Sequence, residues 1–234
     1  PPRSTLFPYT TLFRSLLERV RKDRSLCMEL REDYVNVYYR GGNLLRLDRR
    51  PQGYTAHFDD KYFGPGSQRP AGLPDLVCGR LDVSAWLAAL PHLKNAMDVH
   101  PKLGTEREAQ QLIVADNNTG VAARSTDYFV CDIEYASEFG RFDLVAVHWP
   151  SKPATRKQQD GRRLVVAELK YADGALGGTA GLHAHVHDVN ACLGNPTKLA
   201  GLKDEMVRVF NQKRELGLVD CGLPLAGLDR KSVV

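Results

Sequence analysis

Two short stretches decide how this chain is read: RFDLVAVHW at 141–149 and RLVVAELKY at 163–171. Each is an apolar run of strand length, rich in Val and Leu. The polar segment PSKPATRKQQDGR between them carries Pro and Gly, so the two runs predict antiparallel neighbouring strands. Strand alternation puts Asp143, Val145 and Val147 on one face, and Val166, Glu168 and Lys170 on one face of the partner. Runs of this kind belong in a sheet covered on both sides, where an ionised side chain is costly unless it is paired or bound to metal. Asp143, Glu168 and Lys170 are therefore the candidate reactive residues. Two convergent carboxylates suit a hard cation, Mg²⁺ with Mn²⁺ as the alternative. Such an ion polarises a phosphoryl oxygen and lowers the pKa of its bound water. Lys170, two residues past Glu168, points to the same place, where an ammonium orients the attacking water and offsets transition-state charge.

Working outward, Thr105-Glu106-Arg107-Glu108 fits a capping box that opens a helix running to about Asp116. STDYFVCDIEYA (125–136) predicts a strand. Gly-rich residues 174–181 lead to a helix near 182–193, and a stronger helix runs from about Pro196 to Leu216. The order from 104 onward is α-β-β-β-α-α. The front half predicts a helix over 16–31, then a meander of YVNVYY (34–39), NLLRL (43–47) and GYTAHF (53–58) turning at 40–42. A Gly/Pro loop at 63–75 precedes a helix over 81–100 that Pro91 interrupts. The fold class expected is α/β in the broad sense, an α+β arrangement around a mixed sheet. Residues 104–229 form its core and 16–103 an N-terminal α+β region.

The ends read as foreign. PPRSTLFPYTTLFRS (1–15) resembles translated sequencing-adapter read-through, and RKSVV (230–234) the same artefact at the other end. Arg3, Arg14, Arg230 and Lys231 supply the whole formal charge of +4, so residues 16–229 are neutral and overall basicity says nothing about partners. Apolar content of 43% and charged content of 26% are those of an ordinary globular protein. No apolar run is long enough for a membrane span, and no charged segment leads into the apolar run of a signal peptide, so no membrane association is expected. Five scattered cysteines without a C-x-x-C pair predict reduced thiols and a cytoplasmic setting.

Phe142-Asp143 on one strand and Glu168-Leu169-Lys170 on the next, within an α-β-β-β-α order, resemble the PD-(D/E)XK nuclease superfamily. The resemblance covers roughly residues 104–217 and implies a restriction-endonuclease-like αβββα core. It also implies a Mg²⁺-dependent nuclease acting on DNA, with RNA left open. Metal ligation would fall to Asp143, Glu168 and the Leu169 backbone carbonyl, with Lys170 at the water. An acid from the preceding helix often joins such sites, which makes Glu106 (or Glu108) a further candidate. Phe142 stands where many members have Pro, and the last core strand would have to come from 218–229.

Weaker signals surround this set. The loop between the two strands offers Lys152, Arg156, Lys157, Arg162 and Arg163 for phosphate contact, or a solvated hairpin tip. His183 and His187 share a helical face that His185 points away from; they read as surface histidines or groups behind the ligands, with a supporting role near phosphate as the alternative. Asp132 and Glu134 share one face of the first strand and read as a solvent-facing strand edge, with a contribution to the metal site as the alternative. The tyrosines of YVNVYY read as core packing rather than base-stacking groups. No P-loop and no G-x-G-x-x-G occurs, so no nucleotide cofactor is expected. Two competing readings stay open: a catalytically silent nucleic-acid-binding module on the same fold, and a metal-dependent hydrolase of another substrate that uses the three histidines.

Overall fold

The computed structural model describes residues 13–66, 68–100, 105–138, 140–158, 160–170 and 182–229, with the side chains of 182–184 left aside. The Gly-rich stretch 174–181, the side chain of His183 and nearly all of both foreign-looking ends lie outside the described residues. Among the described residues the chain forms seven α-helices and two antiparallel sheets, an α+β protein. Its contacts divide it into two compact units, residues 1–111 and 112–234. The division falls inside a helix, α3 (Thr105–Asn118).

The first unit is a five-stranded antiparallel sheet in sequence order: β1 (Leu26–Leu30), β2 (Tyr34–Tyr39), β3 (Gly42–Arg50), β4 (Gly53–His57) and β5 (Leu76–Val77). Helices α1 (Arg14–Lys22) and α2 (Arg80–Asp98) belong to the same unit. Leu16, Val20, Trp86, Leu90, Leu93 and Met97 from the helices are buried, as are Leu30, Val35, Val37, Leu45 and Leu47 from the strands. Phe13, inside the segment set apart as foreign, is also buried and meets Tyr54 edge-on at 4.7 Å.

Two expectations are corrected here. The helix read over 16–31 stops at Lys22, and Leu26–Leu30 is strand β1, paired residue for residue with β2. Asp23 makes the break: its carboxylate accepts the Ser25 N–H (3.2 Å), the Ser25 hydroxyl (2.6 Å) and the Lys94 ammonium (2.6 Å). The α2 helix is not interrupted at Pro91 but runs through it. Pro91 is exposed while Leu90 and Leu93 beside it are buried, so the unbonded carbonyl falls on the wet side of a helix held by its packing. The hairpin at Arg40–Gly41 has φ of 45° and 75°, the two positive angles of a type I′ turn.

The β2 tyrosines serve the structure. Tyr38 is buried and takes a hydrogen bond from Asn36 at 3.0 Å, and the Arg46 guanidinium lies 3.8 Å over the Tyr34 ring. The Tyr39 hydroxyl donates to Asp98 at 2.9 Å; burial and that carboxylate push its pKa up to about 12.

The second unit is built on three antiparallel strands, β6 (Tyr128–Ser137), β7 (Gly140–His148) and β8 (Arg163–Ala167), with β7 central. The short helices α4 (Ala122–Ser125) and α5 (Pro153–Arg156) and the long α6 (Leu182–Leu193) and α7 (Pro196–Glu215) complete it. Phe210 of α7 packs on Phe129 (5.8 Å) and Trp149 (5.7 Å), all three fully buried. The mixed sheet expected from the sequence is not seen: every strand pairing among the described residues is antiparallel. Nor does 218–229 form a strand. The Asn211 side chain holds it instead, donating to the Leu225 carbonyl and accepting from the Leu225 N–H, both at 2.8 Å.

Strand β6 is irregular in two places. Its register shifts between Val130 and Asp132, where the Asn118 side chain accepts from the Val130 N–H and donates to its carbonyl, both at 2.8 Å. Glu134 has φ of 53°, a left-handed backbone inside a strand.

Candidate metal centre

The β7–β8 ladder pairs Val145 with Val166 and Leu144 with Ala167. One step further the same register sets Asp143 opposite Glu168, just where β8 ends. The antiparallel pairing and the shared face expected from the sequence are both present. Asp143 is buried, and its Oδ2 accepts the Leu169 N–H at 2.9 Å. Leu169 thus enters the site through its amide hydrogen. The Lys170 ammonium donates to Glu168 Oε1, an ion pair between side chains that are each 15% exposed. Burial pushes the Glu168 carboxyl above its ordinary range, and the Asp143 carboxyl, within hydrogen-bonding reach, pushes the same way. Lys170 and His185 pull it back without cancelling the rise.

His185 is the residue sequence reasoning missed. Its Nε2 stands 3.1 Å from the same Glu168 oxygen. His187, two residues on, is exposed. Helical spacing fixed which histidines share a face but left the phase of α6 open. A usable signal was Cys192, two turns on and buried, which sets residue 185 on the packed face. Asp188, one turn from His185, fixes how α6 approaches β7: a Cβ at Gly140 would lie 2.4 Å from its Oδ2.

Asp132 is likewise not at a solvent-facing edge. It is fully buried and stands in one cross-strand row with Val145 and Val166, beside the row of Asp143 and Glu168. Glu134 pairs with Arg141 at 3.2 Å and is largely covered.

Arg162 is 1% exposed, with its guanidinium 4.5 Å over the Trp149 ring. It donates to the carbonyls of Thr155 (2.9 Å), Asp160 (3.3 Å), Arg156 (3.5 Å) and Gln158. Arg156 donates to the Thr126 carbonyl and lies 5.1 Å over the Phe129 ring. Arg163 meets His148 Nδ1 at 3.2 Å. These three arginines order the loop; of the five cations only Lys152 and Lys157 are exposed. The loop also caps the far end of the strands, five residues from Asp143 along β7, or roughly 17 Å at strand rise.

In the first unit Glu108 pairs with Arg40 at 3.3 Å, and Arg40 also holds Asp98 at 2.8 Å. Glu108 therefore has a structural partner, and Glu106 lies half-buried on the same helix.

No group of three or more His, Cys, Asp or Glu side chains among the described residues has the arrangement of a metal site. The Asp143–Glu168 pair offers two hard oxygen ligands on facing strand positions. That donor set fits a cation which keeps most of its shell as water, as Mg²⁺ does, and would not serve one that demands a full protein cage. All five cysteines are free thiols, and no helix among the described residues is long and apolar enough to cross a membrane. No family model, no curated protein and no solved structure matches the chain.

Proposed function

We propose that the second unit is a metal-dependent hydrolase of phosphodiester bonds in nucleic acid, in line with the resemblance to PD-(D/E)XK nucleases. The observation that carries this reading is the facing pair Asp143 and Glu168 with Lys170 on the Glu168 carboxylate. Asp143 and Glu168 would hold Mg²⁺ or Mn²⁺, which when bound acidifies water and polarises the phosphoryl oxygen. Asp143 is kept in place by the Leu169 N–H. With a cation on the carboxylates, Lys170 would be free to orient the attacking water and offset charge on the phosphate, while His185 would stay beside Glu168.

The test is cleavage of plasmid and linear DNA with Mg²⁺ or Mn²⁺ by the wild type and by Lys170→Ala. Turnover that falls ~10²–10³-fold in the variant supports the reading, the size expected for losing one transition-state contact. Binding without turnover in both proteins supports a silent binding module. A second reading, hydrolysis of another substrate with a histidine in the site, is favoured by His185 at 3.1 Å from Glu168. It predicts turnover of simple phosphomonoesters or amides and no nicking of DNA.

A further inference from the structure

The far end of the β7–β8 hairpin carries a concavity of about 370 Å³, within the range of small-ligand sites. Ala123, Pro153 and Leu223 line its apolar part; Arg124, Arg156 and Lys157 line its basic part. The one acid in the lining is Asp220, and its Oδ2 already accepts the Gly120 N–H at 2.6 Å. Arg156 is committed to backbone carbonyls and to Phe129. Arg124 and Lys157 are exposed, and neither has an acidic partner among the described residues. In a chain whose residues 16–229 are formally neutral, an apolar hollow flanked by two uncommitted cations is a local excess of positive charge.

We infer that this pocket takes one unstacked nucleotide of a single-stranded nucleic-acid segment. Its base lies on Pro153 and Leu223, and its phosphate lies between Arg124 and Lys157. Charge complementarity selects a phosphate-bearing ligand. The apolar hollow selects against an intact duplex, which shows its backbone outward and keeps its bases stacked. The inference rests on the proposed nuclease reading for its substrate class. It adds a strand preference and a second point of contact, beyond the end of β7 that lies away from Asp143.

The test is binding of a fluorescein-labelled oligothymidylate in EDTA, which holds turnover out of the measurement, followed by anisotropy across a salt series. The Arg124→Gln/Lys157→Gln double variant is expected to bind about tenfold more weakly, with a salt slope shallower by about 0.7 for the one phosphate no longer neutralised. Leu223→Trp, which fills the hollow and leaves the charges, is expected to weaken binding with the slope unchanged. Equal affinity and slope in the double variant would overturn the inference. So would equal competition by duplex of the same sequence, or by a free mononucleotide at the same concentration. None of these readouts uses cleavage, so their failure leaves the Lys170→Ala test untouched. A wild type that binds as expected but never cleaves would sink the nuclease reading alone.

Discussion

His185 Nε2 and Lys170 Nζ converge on one oxygen of Glu168, the first from helix α6 and the second from the end of β8. With two nitrogens at one oxygen, either can leave without stranding the carboxylate. A metal ligand oriented by an outer partner characteristically loses ~10–100-fold in affinity when that partner is removed. His185→Ala is therefore expected to weaken Mn²⁺ binding by that factor in titration calorimetry, while His185→Gln, which keeps a donor, recovers much of it. Unchanged Mn²⁺ affinity in His185→Ala would remove the histidine from the site.

Glu168 also fixes a pH dependence. Burial and Asp143 raise its folded-state pKa above the ordinary value, so the native state holds the proton more tightly than the unfolded chain does. The stabilisation this gives is fully present below the unfolded pKa and is lost as pH rises through the raised folded one. Wild type should lose melting temperature across that window relative to Glu168→Gln, whose stability carries no such step. At neutral pH the Gln variant should melt higher, by about 2–4 °C for each ~1 kcal/mol relieved in a chain of this size. Parallel Tm–pH curves for the two proteins would contradict the raised pKa.

Arg162 is expected to be a stability residue. Its guanidinium satisfies several loop carbonyls and covers Trp149 from a fully buried position. Arg162→Ala leaves those carbonyls without a donor, at ~1–3 kcal/mol for each one left dry, and should lower urea stability by about 3 kcal/mol. The exposed Lys152→Ala should stay within about 0.5 kcal/mol of wild type. Equal effects from the two substitutions would return Arg162 to the surface.

Gly140 is required on two counts: its φ is 141°, and a Cβ there would meet Asp188 Oδ2 at 2.4 Å. Gly140→Ala should cost about 1–3 kcal/mol. Because Asp188 shares α6 with His185, the Ala variant should also loosen Mn²⁺ binding. A variant that melts and binds like wild type would show that α6 tolerates displacement.

The sequence carried the parts of this fold that depend on periodicity. Asp143 and Glu168 could be placed face to face because alternation and a hairpin connection are local properties, and helices α6 and α7 ended within a residue or two of expectation. What stayed hidden depended on tertiary partners. LCMEL (26–30) continues a plausible helix by propensity, and only its pairing with YVNVYY makes it a strand. Arg156 and Arg162 look like any solvated loop cations until Phe129 and Trp149 are seen beneath them. Asp132 could not be known as buried without the register shift at Val130, which Asn118 from another element brackets.

Glu134 leaves one more mark on this protein. The β6–β7 ladder pairs Ile133 with Leu144 and Tyr135 with Phe142, while the left-handed residue between them faces Asp143 without joining the ladder. The zipper therefore skips a tooth at the acid. In time rather than in space, this makes Asp143 the soft point of an otherwise locked strand. Its amide should trade hydrogen with solvent sooner than those of Val145 and Val147, and a ligand that stiffened it would announce its arrival in the exchange rate before any product formed.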